Sequence, residues 1–292
     1  MSWFDQLAVR GSDGPFDNLP PAGRLLREPC YIDCAALPLR GPIDDYLARD
    51  TFPIPSTADR EGYHDDRHFE YWLSGLRDFV LVEERLRSLG AELRAGERVV
   101  ELGCATGRVL RHFLSQGPAV DLWGLDLNRR HIEWIRRFLG PRPRVAQTTV
   151  LPHLPIESDS CALVLAFSVF THIDELDLAW IAELRRILRP GGFAYLTLHT
   201  EHTWSGLQPG SPLLTALQTM HSDTEGIEAP AGPGGVLPGE RLVFRPSAGG
   251  PYVSNVFHST AYIRDAWGRL LSLRSEHREG SDYQDVFILQ KS

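Results

Sequence analysis

The sequence predicts an α/β fold: a mostly parallel, doubly wound sheet of seven strands, one of them antiparallel near the C-terminus, with helices on both faces. Three observations carry this expectation. Short apolar runs alternate with segments of helical period between residues 98 and 200, the pattern of strand–helix–strand units. Turns rich in Gly or Pro bound the runs, as at Gly103 to Gly107 and at Pro190-Gly191-Gly192. Finally, a chain of 292 residues, 42% of them hydrophobic, buries enough surface to fold without disulfide or metal staples.

Residues 1–66 are rich in Pro, Gly and Asp, show no sustained period, and read as an irregular N-terminal arm. Over 67–94, Phe69, Trp72, Leu73, Leu76, Phe79, Val80 and Val82 recur at helical spacing, and Gly90 stands where a C-terminal cap belongs. One long helix or two consecutive ones are expected there. The core, 95–204, opens with a strand over 98–102, a tight turn over 103–107 and a helix beginning at 108–113. A second strand over 120–125 ends at Asp126, and a helix follows over 131–138. A third strand fits 144–150, and the nearly unbroken apolar run 161–167 is a fourth. Leu176, Leu178, Ile181, Leu184 and Leu188 lie at helical spacing behind the acidic Asp174 and Glu175, which suit a helix N-terminus. Pro190-Gly191-Gly192 then turns the chain into a fifth strand over 193–198. Residues 205–240 are rich in Gly and Pro and read as a lid or insertion. The segment 241–292 completes the sheet, with strands over 253–257, 273–278 and 283–289 and a helix over 260–271.

Composition narrows the function. Thirty basic against 38 acidic residues give a formal charge of −8, which argues against a dedicated nucleic-acid binder. The four cysteines, Cys30, Cys34, Cys104 and Cys161, are too few and too scattered for a disulfide scaffold. The opening Met1-Ser2-Trp3-Phe4-Asp5 lacks the basic start and apolar run of a secretory signal. No apolar stretch approaches the ~20 residues needed to span a bilayer. A cytoplasmic protein without a membrane partner is expected. The sequence sets no oligomeric state.

The turn Glu101-Leu102-Gly103-Cys104-Ala105-Thr106-Gly107-Arg108 lies at a strand end, where doubly wound sheets bind ligands. Its small residues let a backbone approach a ligand and then launch a helix. A dinucleotide fingerprint requires a small residue at 108, where the chain has Arg. A phosphate loop requires a Gly-Lys-Ser/Thr ending, and none is present. Glu101 at the strand end disfavours phosphate and suits a cationic amine. Asp126, about 19 residues past Gly107, can accept ribose hydroxyls from the next strand end. One carboxylate for an amine and one for a ribose describe S-adenosylmethionine. The alternative is that both acids merely cap neighbouring helices.

The segment 100–108 resembles motif I of the class I, Rossmann-like S-adenosylmethionine-dependent methyltransferases of small-molecule type. Gly124-Leu125-Asp126-Leu127 resembles the second motif of that family, and Leu154-Pro155-Ile156 with 163–167 resembles the approach to its fourth strand. Phe167-Ser168-Val169-Phe170-Thr171-His172-Ile173 and Leu188-Arg189-Pro190-Gly191-Gly192 are similar to the phrases around its fourth and fifth strands. Two positions depart: Ala105 replaces the usual central Gly of motif I, and Cys161-Ala162 replaces an aromatic-Asp pair. The resemblance implies that Glu101, Gly103, Cys104, Ala105 and Gly107 surround the methionine part and that Asp126 holds the ribose. It further implies that Leu127 packs on the adenine, that the backbone of Val150 and Leu151 meets its edge, and that Phe167 passes the sulfur. S-adenosylhomocysteine would be the product.

Methyl transfer is an in-line displacement in which positioning supplies much of the rate. A general base helps where the acceptor is a hydroxyl, and His172, His199 and His202 are the candidates. Each reads equally as a structural histidine. Tyr71, Trp72, Phe170 and Trp204 would form an aromatic wall or plain core. Cys30/Cys34 and His64/His68 have the residue types of a zinc site, but their separation favours no metal. A small-molecule acceptor is expected, with oxygen ahead of nitrogen or carbon. The competing readings are a nicotinamide oxidoreductase, against which Arg108 counts, and a non-catalytic cofactor-binding scaffold.

Overall fold

In the computed structural model, which describes residues 6–27, 30–220, 237–245 and 252–292, the chain divides at Thr148. One unit is Arg10–Thr148 and the other is Met1–Val9 with Thr149–Ser292. Both are α/β: the first has a parallel run of strands and a short antiparallel pair, and the second has parallel strands flanked by antiparallel pairing towards the C-terminus, the fold class that the alternating pattern predicts.

In the first unit, β1 (Asn18–Leu19) pairs antiparallel with β2 (Ile54–Pro55), and α1 (Ile43–Arg49) lies between them in sequence. The helical period over 67–94 gives a single helix, α2 (His68–Ser88), whose predicted apolar positions from Phe69 to Val82 are all buried. Gly90, at φ +76°, ends it, with the Ala91 N–H reaching back to the Leu86 carbonyl at 2.9 Å. Then come β3 (Arg98–Leu102), α3 (Leu110–Ser115), β4 (Asp121–Asp126), α4 (Arg129–Phe138) and β5 (Arg144–Gln147). β3 runs parallel to β4, setting Glu101 beside Gly124, and β4 runs parallel to β5. α4 starts two residues earlier than the pattern suggests because Asn128 caps it, accepting the Arg130 N–H at 3.0 Å.

The arm of this unit is pinned by side chains. Fully buried Arg111 donates to both oxygens of Asp50, at 2.7 and 2.9 Å, and to the carbonyls of Phe52 and Pro53. Trp72 Nε1 adds a third bond to Asp50 at 2.8 Å. Arg130 holds the carbonyls of Ser12, Gly14 and Pro15, and Trp134 donates to Asn18. The irregular composition of the arm thus encodes a fitted cover, because Pro- and Gly-rich backbone takes its hydrogen bonds from side chains.

The second unit contains β6 (Cys161–Ala166), α5 (Asp177–Ile187) and β7 (Leu188–Thr200), with β6 buried throughout and parallel to β7. Next are α6 (Glu201–Ser205), α7 (Pro212–Met220), β8 (Arg241–Phe244), β9 (Asn255–His258) and α8 (Thr260–Asp265). The hairpin of β10 (Ser272–Ser281) and β11 (Gln284–Gln290) closes the chain, with β11 antiparallel to β7. β9 continues the parallel pairing at the end of β7 and is itself paired antiparallel with β8, so antiparallel pairing extends beyond the one expected strand.

Several boundaries differ from expectation. α5 begins at Asp177 and not 174, because Leu176 takes a left-handed φ of +61° and Asp174 is engaged by Ser254 and Arg245. β7 runs through Pro190-Gly191-Gly192, since Gly191 and Gly192 exchange backbone bonds with Lys291. β5 stops at Gln147, short of the predicted 150. The predicted 260–271 helix gives way after Asp265 to a 3-10 turn at Trp267–Arg269. Within the predicted lid, Leu207, Leu214, Leu217 and Leu237 pack with Trp204, Phe244 and Phe257. Its residues 221–236 lie outside the described residues. Among the described residues no helix is long and apolar enough to cross a membrane.

Candidate functional site

The turn after β3 is built from left-handed backbone. Gly103, Ala105 and Gly107 have φ of +70°, +44° and +79°, which sends the chain back before α3 begins. The N–H groups of Gly103 and Cys104 both donate to the Leu125 carbonyl at the end of β4, at 2.7 and 3.1 Å. The Ala105 N–H donates to Asp126 Oδ2 at 2.8 Å. The second carboxylate is thereby joined to the turn itself. Asp126 Oδ1 accepts the Asn128 N–H at 2.7 Å and lies 3.3 Å from His131 Nδ1. The other ring nitrogen of His131 lies 3.5 Å from Glu61 Oε1, which also accepts Asn128 Nδ2 at 3.0 Å. Burial lowers the His131 titration, but Asp126, Glu61 and Asp59 outweigh it and leave it raised.

Glu101 is the other expected carboxylate, 3% exposed at the end of β3. The Leu110 amide hydrogen-bonds it, while its Oε2 is buried without a partner among the described residues. Burial pushes its pKa up to about 8 against the opposing pull of Arg108. A buried, under-bonded carboxylate oxygen is a costly feature that a cationic ligand would relieve.

α2 supports the turn from behind, a contribution that the sequence reading misses. Tyr71 Oη and Thr106 Oγ1 are 3.2 Å apart. Arg108, the residue that argues against a dinucleotide fingerprint, is drawn to Asp78 Oδ2 at 2.7 Å and Ser74 Oγ at 3.2 Å. A Cβ at Gly75 would stand 2.1 Å from the Arg108 carbonyl oxygen, so only glycine lets this helix approach so closely. A glycine on the buried face of a predicted helix was the available signal.

The remaining candidates divide by surroundings. Leu127 is half-buried, with its carbonyl taken by Gln147 Nε2 at 2.9 Å. In the other unit, the Val150 N–H bonds the Leu7 carbonyl at 2.9 Å, and the Val150 carbonyl accepts Trp180 Nε1 at 3.3 Å. Both polar groups of the Val150 backbone thus have a partner within the unit, the carbonyl keeping a second lone pair. The Leu151 side chain is largely exposed, and Phe167 is half-buried against Tyr195. His172 Nδ1 is 2.7 Å from the Ser254 carbonyl. His199 is buried, and burial pushes its titration down to about 3. His202 Nδ1 lies 3.1 Å from Asp285 Oδ1.

Tyr71, Trp72, Phe170 and Trp204 are all buried, which is the core alternative. The ring nitrogens of His64 face Glu70 and Ser74, and His68 Nδ1 faces Arg60. Among the described residues no cluster of three or more His, Cys, Asp or Glu side chains is arranged to hold a metal.

An α/β fold with a glycine turn joined to an acidic strand end defines the class of the Rossmann-like methyltransferases. Residues 99–192 match the family model of the methyltransferase domain, and this segment belongs to that family. A curated relative, malonyl-[acyl-carrier protein] O-methyltransferase of Hahella chejuensis, is 26% identical over 136 residues, 44% of this chain and 48% of the relative. The match thus spans about half the length of that protein. Similar solved structures include an S-adenosylmethionine-dependent methyltransferase from Mesorhizobium loti, at 14% identity and TM-score 0.49 over 73% of this chain and 99% of that one. Another, from Methanosarcina mazei, has 16% identity and TM-score 0.48 over 68% and 94%.

Proposed function

We propose that the chain is an S-adenosylmethionine-dependent methyltransferase that moves a methyl group by in-line displacement to a small-molecule acceptor, with oxygen favoured. The observation that carries this reading is the buried, unpartnered Oε2 of Glu101 beside a left-handed turn that is hydrogen-bonded to Asp126. These residues fit the cofactor. Glu101 would take its ammonium, Asp126 the ribose hydroxyls and Leu127 the adenine face, while Gly103, Cys104, Ala105 and Gly107 keep the backbone close to the methionine part. When bound, S-adenosylmethionine supplies a methyl group already activated on a sulfonium.

The protein's contribution is then alignment and exclusion of water. The Asn128 amide and His131 on Oδ1 and the Ala105 amide on Oδ2 fix the carboxylate plane of Asp126 and leave acceptor capacity on Oδ2. Arg108, tied to Asp78, offsets the charge beside Glu101 without filling its free oxygen. The formal charge of −8 supports an acceptor other than a nucleic acid. The test is calorimetric titration of S-adenosylhomocysteine, followed by transfer of labelled methyl to small molecules of a cell extract. Micromolar binding that collapses in Asp126→Ala, together with labelled small products, is expected. Binding without turnover would favour a scaffold role, and absence of binding refutes the proposal.

A further inference from the structure

Residues 59–65 of the arm lie against the start of α4, and both belong to the Arg10–Thr148 unit that also carries Glu101 and Asp126. The backbone of this segment is forced: Glu61, Gly62, His64 and Asp65 have φ of +54°, +81°, +62° and +41°. Left-handed backbone is unfavourable for residues other than glycine and persists where contacts impose it. The contacts stand at both ends. Arg130 Nε donates to Asp59 Oδ1 at 2.5 Å, while the ring nitrogens of His64 lie 3.2 Å from Glu70 Oε1 and 3.1 Å from Ser74 Oγ on α2. Thr57 and Arg60 both donate to the Asp65 carbonyl.

Between these ends Glu61 reaches α4. Its Oε1 accepts Asn128 Nδ2 at 3.0 Å and lies 3.5 Å from His131 Nε2, while His131 Nδ1 lies 3.3 Å from Asp126 Oδ1. An imidazole with a carboxylate on each nitrogen serves both only as the cation, because the neutral ring carries a single N–H. The ring is buried, and the charged groups that face it are Asp126 from the end of β4 and Glu61 and Asp59 from the arm, Asp59 being paired with Arg130. Burial lowers its titration, but these acids outweigh the burial and leave it above the usual histidine value. Tyr63, two residues beyond Glu61, has its hydroxyl desolvated within reach of the charges of Glu61, Arg108 and Asp126.

We propose that His131, as an imidazolium, is a positioning residue of the cofactor site: it clamps Asp126 and fastens the arm at Glu61, so that nucleoside binding weakens when its proton is lost. This deepens the methyltransferase reading above and rests on it. With Oδ1 of Asp126 taken by His131 and the Asn128 amide, the ribose meets Oδ2 of a carboxylate held in one orientation. When the ring loses its proton, one nitrogen turns a lone pair towards a carboxylate. Glu61 and Asp126 then face each other with no positive charge between them, which favours release of Glu61 and of the strained segment that carries Tyr63. The sign follows from the raised titration. Affinity is full while His131 is protonated and falls as pH rises through the His131 value, and binding takes up a proton in that window.

The probe is 5′-methylthioadenosine, which keeps the adenine, ribose and thioether of S-adenosylhomocysteine but has no ammonium for Glu101. Its calorimetric affinity for the full chain should fall at least ~5-fold between pH 6 and pH 9. The midpoint should coincide with the His131 titration read from ring ¹³C shifts, above 6.5. Glu101→Gln removes another group that titrates in this window and should leave the inflection in place. Glu61→Gln keeps an acceptor for Asn128 but drops the charge, so midpoint and ring titration should move together to lower pH. His131→Gln should abolish the inflection; if that variant does not fold, Glu61→Gln carries the test. A flat profile in wild type, a midpoint that Glu61→Gln leaves unmoved, an inflection that survives in folded His131→Gln, or no nucleoside binding while S-adenosylhomocysteine binds would overturn the proposal. Failure of wild type to bind either ligand would instead overturn the methyltransferase reading, and this proposal with it.

Discussion

Replacing Glu101 by Gln separates two consequences of one buried carboxyl. The unfolded chain releases the Glu101 proton near 4.5, whereas the fold holds it until about 8. That difference of about 3.5 units, at 1.36 kcal/mol per unit, amounts to roughly 4–5 kcal/mol. Because the folded value is the higher one, the associated stability is fully present below pH 4.5. It declines as pH rises towards 8 and changes no further above it. Glu101→Gln cannot ionise, so it should be more stable than wild type by several kcal/mol at pH 9 and nearly equal to it at pH 4. Urea denaturation of both proteins at pH 4, 6.5 and 9 measures this directly. The same variant should bind S-adenosylhomocysteine at least ~10-fold more weakly, since a neutral amide cannot pair with an ammonium. Wild-type binding at pH 6.5 should also release close to one proton, read from the dependence of binding heat on buffer. Parallel stability profiles for the two proteins would refute the reasoning, as would proton uptake on binding.

Other perturbations test the frame around the site. Gly75→Ala places a methyl 2.1 Å from the Arg108 carbonyl; it should cost about 1–3 kcal/mol in denaturation and weaken S-adenosylhomocysteine binding by displacing the turn. Ala105→Gly relieves a φ of +44°, and thermal unfolding should show a net gain of up to about 1 kcal/mol after the added freedom of the unfolded chain. Arg111→Leu strands Asp50 in the core and should cost about 3–5 kcal/mol, most of it recovered by adding Asp50→Leu. Burial raises the Asp50 carboxyl, but the charge and hydrogen bonds of Arg111 outweigh it and hold it below the usual range. The wild-type advantage over Arg111→Leu should therefore shrink as pH falls below about 4, which acid denaturation would follow.

What the sequence made legible was local. The apolar runs at 98–102 and 161–167, the glycine turn and the acids at 101 and 126 declare themselves by period and spacing; the structure forms strands from the runs and places the acids at strand ends. What it concealed depends on groups far apart in the chain. The bond of Arg111 to Asp50, the pull of Asp78 on Arg108 and the fit of Gly75 against the turn have no periodic signature. The three candidate histidines look alike in sequence. Only burial and partners separate neutral His199 from carboxylate-paired His202. The arm reads as irregular because its order comes from side chains such as Arg130, which donates to three arm carbonyls.

The central claim is that one buried acid receives the amine of a sulfonium nucleoside while its neighbour receives the ribose. A crystal structure of the complex with S-adenosylhomocysteine tests it most directly. The account predicts the ligand amino group within hydrogen-bond distance of Glu101 Oε2 and the ribose hydroxyls on the Asp126 carboxylate. A ligand bound elsewhere, or one that leaves Glu101 Oε2 unpartnered, would contradict it.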